Sequence, residues 1–264
     1  MVTSNLIGGL GNYLFQIATT YSLAIDNNDS IIYDQEKTVR VHNHISTYMD
    51  NILHNVPFGP VSVENEHQEP YYHYSSIKYQ PNLKLNGYYQ SEKYFLHNRD
   101  KILDLFSFGR IANKLVEDKY SDIIKSKTCA IHVRRGNYLT LPNHHPVCSF
   151  DYYERAISLM PKDCEFVVFS DDLEWCKNNF NKIDRKFHYI EDNVDYIDLL
   201  LMSKCNNNII ANSSFSWWGA WLNHNSSKLV IGPNKWFGTS INHNTDNLIP
   251  TTWVKLEFAI ILLL

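Results

Sequence analysis

The stretch Thr128 to Val133, TCAIHV, is a largely apolar run that leads directly into Arg134-Arg135-Gly136-Asn137-Tyr138. The run is too short for a helix and rich in apolar residues, so it predicts a buried strand of a parallel sheet. Ligands of open α/β sheets bind beyond the carboxyl ends of the strands. We therefore expect Arg134 and Arg135 to lie at a ligand site.

Short apolar runs and helical segments alternate along the second half of the chain. The further runs that predict strands are residues 166–169, 188–190, 208–211 and 229–231. The segments with helical spacing are residues 152–160, 173–180, 194–203 and 215–224. This β-α-β-α order predicts an α/β fold built on a mostly parallel, doubly wound sheet.

The first half of the chain is less regular. The glycine-rich segment 8–12 precedes helical spacing over residues 14–25, which predicts a loop that feeds a helix. Residues 31–33 and 83–85 predict strands. Residues 57–81 have no steady period and predict a loop or an insertion.

The composition is that of an ordinary folded protein. Of the 264 residues, 44% are apolar and 20% are charged, which favours a packed core over disorder. The formal net charge of -4 argues against binding nucleic acid or anionic lipid by charge alone. Five scattered cysteines without a CxxC pair indicate reduced, buried thiols rather than a disulfide framework or a zinc site.

The two ends of the chain bear on its location. Residues 1–12 lack the basic and apolar regions of a signal peptide, so we expect a cytoplasmic protein. Residues 258–264 form an apolar run much shorter than the roughly 20 residues that cross a bilayer. We expect this run to be a docking strand or a helix end, with peripheral membrane association as the alternative.

Polar residues that suit a nucleotide follow the predicted strands. The planar guanidinium groups of Arg134 and Arg135 suit a diphosphate, because each binds two oxygens at once; the alternative is a pair of surface salt bridges. Ser213, Ser214 and Ser216 lie at a strand-to-helix turn, where hydroxyls and free N–H groups cradle an anion. The alternative is simple capping of a tryptophan-rich core helix.

Asp171 and Asp172 follow the strand predicted at residues 166–169. They suit a ribose hydroxyl or the N–H groups of guanine, or else they cap the next helix. This pattern requires no metal, because the acidic pair opens a helix whose N-terminus already favours negative charge. The segment 8–12 lacks the full GxGxxG spacing, which disfavours a nicotinamide site.

Five sequence blocks occur together in one order. They are GGLGN at 8–12, GYYQSEKYF at 87–95, HVRRG at 132–136, FSDD at 169–172 and SSFSWWGAW at 213–221. In this order they resemble the glycosyltransferase family 11 α-1,2-fucosyltransferases, over nearly the whole chain. The resemblance implies a GT-B architecture, with two Rossmann-like domains facing across a cleft. Residues 1–118 would form the acceptor-side domain and residues 119–264 the GDP-sugar-binding domain.

The resemblance also implies an inverting, metal-independent transfer of L-fucose from GDP-fucose to a hydroxyl of an oligosaccharide acceptor, such as a galactoside, without a cofactor. Asn12 would lie at the fucose and acceptor side. The implied donor residues are His132 and Asp171 or Asp172 for guanine or ribose, Arg134 for the diphosphate, Arg135 for a ligand or structural role, and Ser213, Ser214, Phe215 and Ser216 for phosphate.

Asn137 departs from the family motif HxRRGDY, which has aspartate at this position. An amide cannot accept the acceptor's proton, so another group or another route must replace any base there. Asn137 nevertheless joins Asn12 and Arg134 as a candidate catalytic residue. Two alternatives stay open: a transferase for another GDP-deoxysugar or linkage, and a catalytically silent protein that binds a GDP-sugar or a glycan.

Overall fold

The computed structural model describes residues 1–37, 39–40 and 44–257 of the chain. The apolar run at 258–264 and its predicted docking role lie outside these residues. The chain forms two compact units. Unit 1 consists of Met1–Arg110 and His243–Pro250, and unit 2 of Ile111–Asn242 and Thr251–Leu264.

The described part of unit 1 contains two parallel sheets. Its strands are β1 (Val2–Ser4), β2 (Ile7–Gly8), β3 (Val39–Arg40), β4 (Asn65–Gln68) and β5 (Leu83–Asn86). Its α-helices are α1 (Leu10–Asp26), α2 (Ser46–Met49) and α3 (Arg99–Leu105). One sheet has the order β1-β5-β4, and β2 pairs with β3 in the other.

Helix α1 begins inside the glycine-rich segment, earlier than predicted. It starts at Leu10, so Asn12 lies in the first helical turn and not in a loop. Gly8 has a φ of 96°, and a Cβ atom there would lie 2.2 Å from Asn12 Nδ2. Only glycine therefore fits at this entry to the helix.

Two other predictions for unit 1 are wrong in part. Ile31 and Tyr33 make isolated bridges, to Val2 and Phe58, instead of forming a regular strand. The segment 57–81 contains β4, whose residues Asn-Glu-His-Gln alternate between half-buried and exposed. Because β4 is a polar edge strand, hydrophobic periodicity gave no sign of it.

Unit 2 contains one six-stranded sheet and a series of helices. Its strands are β6 (Thr128–Val133), β7 (Glu165–Ser170), β8 (Phe187–Tyr189), β9 (Asn207–Ile209), β10 (Val230–Pro233) and β11 (Val254–Leu256). Its α-helices are α4 (Arg110–Lys125), α5 (Phe150–Ser158), α6 (Leu173–Phe180), α7 (Asp195–Lys204) and α8 (Ser214–Trp221).

Helix α4 explains why the observed division differs from the boundary placed between residues 118 and 119. Ala112, Val116 and Tyr120 are buried along this helix, which continues through the predicted boundary. The return of His243–Pro250 to unit 1 had no signal in the sequence pattern.

The sheet of unit 2 is parallel throughout and has the order β8-β7-β6-β9-β10-β11. Numbered along the chain, this is 3-2-1-4-5-6, the order of a doubly wound nucleotide-binding sheet. The direction of progression reverses between β6 and β9, which are neighbours in the sheet. The predicted α/β fold with a parallel sheet is confirmed.

Strand β6 lies at the centre of the core of unit 2. All of its residues are buried, and Cys129, Ile131 and Val133 pack in one cluster with side chains of α5 and α6. Side chains alternate between the two faces of a strand, so His132 points the other way, where its ring centroid lies 5.6 Å from that of Phe215. Because of this alternation, His132 lies against Phe215 at the start of α8.

Two further properties of the described chain concern its cysteines and its helices. The cysteines are all buried and unpaired, as predicted: Cys129, Cys148, Cys164, Cys176 and Cys205. Within the described residues no helix combines the length and the apolar character needed to cross a membrane.

Candidate active site

The carboxyl ends of β6 and β9 bring the arginine block and the serine turn together. The hydroxyl of Tyr138, after β6, donates to the main-chain carbonyl of Asn212, after β9, at 3.2 Å. His132 and Phe215 make the ring contact described above. Ligands of doubly wound sheets bind where the strand order reverses, and this edge of unit 2 is that place.

Arg134 is the first residue beyond β6. Its Nη1 lies 2.9 Å from Asp171 Oδ2, and its Nη2 donates to Asn137 Oδ1 at 2.7 Å. The guanidinium carbon lies 5.4 Å from the centre of the Tyr138 ring. A guanidinium has five N–H groups, so these contacts orient Arg134 and still leave donors for an anion.

Arg135 has the contacts of a structural residue. Its Nε donates to Asp172 Oδ2 at 2.8 Å, and its guanidinium lies 4.3 Å from the centre of the Trp175 ring. Asp172 in turn caps α6 by accepting from the Trp175 N–H at 3.1 Å. Arg135 thus ties the end of β6 to the start of α6.

Asp171 and Asp172 both pair with arginine in this structure. Asp171 also accepts from the main-chain N–H of Arg135 at 2.8 Å, and a Cβ atom at Gly136 would lie 2.5 Å from Asp171 Oδ2. Burial alone would raise the pKa of Asp172, but the hydrogen bonds from Arg135 and the Trp175 N–H hold it below its usual value. The Asp172 carboxylate is therefore held ionised beside Arg135.

His132 is buried and uncharged. Burial, reinforced by the nearby positive charge of Arg134, lowers the pKa of His132 to about 3. Its Nδ1 atom is buried without a hydrogen-bond partner among the described residues. A neutral imidazole with an unused polar atom suits hydrogen bonding to an uncharged part of a ligand, and it adds no positive charge for phosphate.

The start of α8 has no side-chain cap, although Ser213 occupies the capping position. The N–H groups of a first helical turn have no partner within the helix and attract anions. Ser213 and Ser214 are half-buried at this turn, whereas Ser216 is buried and its hydroxyl donates towards the carbonyl of Ser213 at 3.2 Å. The Ser216 hydroxyl thus donates within its own turn in this structure, and its phosphate role stays a prediction.

Sequence reasoning missed the role of the Asn212 side chain. Its Nδ2 donates to the carbonyls of Pro146 and Trp236 at 2.9 and 3.0 Å, so it joins the loop after β6 and the loop after β10 to the end of β9. His145 from the same loop stacks on Tyr138 with ring centroids 4.7 Å apart. Asn212 directly precedes the serine block, and that position was the only signal for it.

In unit 1, Asn12 belongs to a separate polar cluster. Its Oδ1 accepts from Gln90 Nε2 at 2.8 Å, and Tyr72 donates its hydroxyl to Gln90 Oε1. Gln16, one turn further along α1, donates to the Gly87 carbonyl at 3.0 Å. Two of the sequence blocks, GGLGN and GYYQSEKYF, therefore meet in unit 1. Among residues 1–37, 39–40 and 44–257, no cluster of His, Cys, Asp or Glu is arranged to hold a metal.

The chain has a doubly wound sheet with cations at its switch point in unit 2 and parallel sheets in unit 1, which is the composition of a GT-B-like α/β protein. The fold is similar to that of the α-1,6-fucosyltransferase NodZ soaked with GDP-fucose, with a TM-score of 0.56 and 12% sequence identity. The match covers 84% of this chain and 91% of that chain. The predicted fold class is confirmed.

The family follows from sequence. Residues 1–257 match the profile of Glycosyl transferase family 11, and the chain belongs to that family. It is 30% identical to an α-1,2-colitosyltransferase of Escherichia coli, over 97% of this chain and 99% of that protein. It is 26% identical to galactoside α-(1,2)-fucosyltransferase 2 of Sus scrofa, over 84% of this chain and 69% of that protein. The resemblance drawn from the five blocks is confirmed, and the protein is a glycosyltransferase.

Proposed function

We propose that this protein is an inverting α-1,2-fucosyltransferase that moves L-fucose from GDP-fucose to a hydroxyl of a glycan, such as a galactoside. The observation that carries the proposal is the hydrogen bond from Tyr138, in the arginine block, to Asn212, which directly precedes the serine turn at the switch point of unit 2. In support, the Sus scrofa relative is named a galactoside α-(1,2)-fucosyltransferase, and the NodZ structure was soaked with GDP-fucose.

Unit 2 is proposed to bind the donor. Arg134 and the first-turn N–H groups of α8, together with the Ser213 and Ser214 hydroxyls, would hold the diphosphate. His132 suits the guanine or the ribose, because its buried Nδ1 lacks a partner among the described residues. Asp171 and Asp172 keep lone pairs that suit hydroxyl or N–H groups of the nucleoside.

The reaction places negative charge on the diphosphate. The acceptor oxygen bonds to C1 of fucose, the bond from C1 to the β-phosphate oxygen breaks, and GDP leaves with the bonding electrons. Oriented donors and a fixed positive charge stabilise such a leaving group most where they are held in place beforehand. Arg134 is held by Asp171 and Asn137, so we propose that this stabilisation proceeds without a metal.

Unit 1 is proposed to bind the acceptor. This role rests on the polar cluster of Asn12, Gln90 and Tyr72, which presents amide and hydroxyl groups. Such groups hydrogen-bond sugar hydroxyls in either direction.

A second candidate is transfer of another GDP-deoxysugar. The observation that favours it is the 30% identity to an α-1,2-colitosyltransferase over nearly the full length of both chains. Colitose is fucose without the hydroxyl at C3. A site that hydrogen-bonds that hydroxyl rejects the deoxy analogue by a large factor, whereas a site without such a bond accepts both.

The test is turnover with GDP-fucose, GDP-colitose and GDP-mannose on a set of β-galactosides, with the product linkage determined by NMR. We expect an α-1,2-linked fucoside, and we expect excess EDTA to leave the rate unchanged. Turnover with GDP-colitose alone would establish the second candidate. Tight GDP binding without transfer from any donor would establish a silent binding protein.

A further inference from the structure

A carboxylate with no assigned role lies at the carboxyl edge of the β1-β5-β4 sheet. Glu69 directly follows β4, and the turn Gly87-Tyr88-Tyr89 directly follows the neighbouring strand β5. Glu69 Oε2 accepts from the Tyr88 N–H at 2.7 Å, and its Oε1 accepts from the Tyr89 N–H at 3.0 Å. Both oxygens are thus held in one orientation by main-chain donors.

The backbone of this turn is shaped around the carboxylate. A Cβ atom at Gly87 would lie 2.4 Å from Glu69 Cβ and 2.5 Å from Glu69 Oε2, so only glycine lets the side chain lie there. The carbonyl of Gly87 accepts from Gln16, and Gln90, three residues further on, bonds to Asn12. Glu69 therefore holds the turn whose neighbours Gly87 and Gln90 bond to α1, on the unit that we propose as the acceptor side.

Glu69 is half-buried, and both of its carboxylate oxygens accept main-chain hydrogen bonds. Each carboxylate oxygen has two lone pairs, and the two main-chain bonds leave one on each oxygen free to take a proton. The ion pair of Asp171 with Arg134 makes that carboxylate a poor base, and Asn137 cannot act as one.

Resting on the proposed function, we propose that Glu69 is the general base of the transfer. Its carboxylate takes the proton from the attacking acceptor hydroxyl while that oxygen bonds to C1 of the sugar and GDP departs with the bonding electrons. The transfer ends with a neutral carboxylic acid at Glu69, which returns the proton to water. This role replaces the one that Asn137 cannot perform.

The basicity of Glu69 suits this role. Burial raises the pKa of Glu69 to about 7, against the opposing effect of the two main-chain N–H groups. A base is most effective when its pKa lies near the working pH. The titratable side chains around the turn are His67, Tyr72, Tyr89 and Tyr94, together with the Glu66–Lys84 ion pair.

The experiment compares the pH dependence of kcat/KM for the acceptor in the wild type, E69Q, E69D and E66Q. The wild-type value should rise with pH and level off above about pH 7. E69Q should lose about 10²- to 10⁴-fold in kcat and lose the acidic limb of the profile, with GDP binding unchanged. E69D should keep part of the rate and the limb, because it keeps a carboxylate. E66Q, within the strand that Glu69 follows, should behave as the wild type.

Three results would overturn the role of Glu69 while the wild type is active. The first is an E69Q rate within about fivefold of the wild type, and the second is an acidic limb that persists unchanged in E69Q. Equal loss in E69Q and E69D with the wild-type limb retained would also reject it, because Glu69 would then only shape the turn. Absence of transfer by the wild type itself would instead overturn the proposed function, and this role with it.

Discussion

Replacing Arg134 with alanine separates its chemical role from its structural one. The change removes the cation at the switch point. It also removes the ion pair between Arg134 Nη1 and Asp171 Oδ2, which lie 2.9 Å apart. Removing one preorganised donor from a charge-developing transition state costs about 10²- to 10³-fold in kcat, or about 3 to 4 kcal/mol. We expect a loss of this size for R134A.

R134A should change the free energy of unfolding much less than it changes the activation free energy. The side chains of Arg134 and Asp171 are 25% and 26% exposed, and such solvent-screened ion pairs contribute about 1 kcal/mol or less. In a chain of this size, that corresponds to a fall in Tm of about 2 to 4 °C. The protein should therefore stay folded at the assay temperature, so the loss in rate is chemical.

The matched control is R135A, the neighbouring arginine with its own aspartate partner. Arg135 also stacks on Trp175, so R135A should lower Tm more than R134A but reduce kcat less than about tenfold. The assay is initial-rate kinetics with GDP-fucose, with calorimetry on the same samples. R134A turning over within about threefold of the wild type would refute the assignment of the diphosphate to this arginine.

Three further predictions concern the same edge of unit 2. N212A leaves two buried main-chain carbonyls without their donor, which costs about 1 to 3 kcal/mol for each. The fall in Tm should therefore exceed that of R134A. An unchanged Tm would contradict this prediction. N137D should keep or raise activity, because a carboxylate there still accepts from Arg134 and adds charge that orients it; a large loss in kcat would give the asparagine its own function. The pKa of His132 is lower in the folded state, about 3, than in the unfolded chain, so the wild type loses stability as pH falls below about 6.5. Urea unfolding measures this loss. Between pH 7 and pH 5 the free energy of unfolding should fall by about 2 kcal/mol less in H132Q than in the wild type. Equal falls in the two proteins would contradict the burial of a neutral histidine.

Periodicity predicted unit 2 well because its elements are buried on regular patterns. Strand β6 was predicted with its observed bounds, since every residue of the run is buried. Helix α6 was also predicted with its observed bounds, because Asp172 caps its start and the buried Phe180 is its last residue. In both elements the local sequence and the tertiary environment favour the same structure.

Unit 1 was harder to predict because its strands pair through main-chain hydrogen bonds without a regular pattern of apolar side chains. β4 consists of polar residues at a sheet edge, and β2 and β3 have only two residues each. Such strands form because they pair with a neighbouring strand, and the hydrophobic pattern of the sequence does not show which strand that is. Glu69 was missed for the same reason, because its position depends on the pairing of β4 with β5.

At the candidate site, the residue types were predictable but the partners were not. The sequence placed cations and acids at strand ends, which follows from the runs that precede them. That Arg134 meets Asp171 and Arg135 meets Asp172 depends on β6 and β7 lying side by side. The side-chain bonds of Asn212 depend on two loops that are distant in the sequence.

The return of residues 243–250 to unit 1 affects how this enzyme can be cut or recombined. Leu248 and Ile249 are buried there, and Ser91 Oγ donates to the Asn247 carbonyl at 2.8 Å. A protease nick near residue 110 should leave both fragments associated, because the later fragment still contributes a packed segment to the earlier one. A chimaera meant to exchange unit 1 would need to transplant two stretches of chain, because residues 1–110 alone would lack the buried segment 243–250.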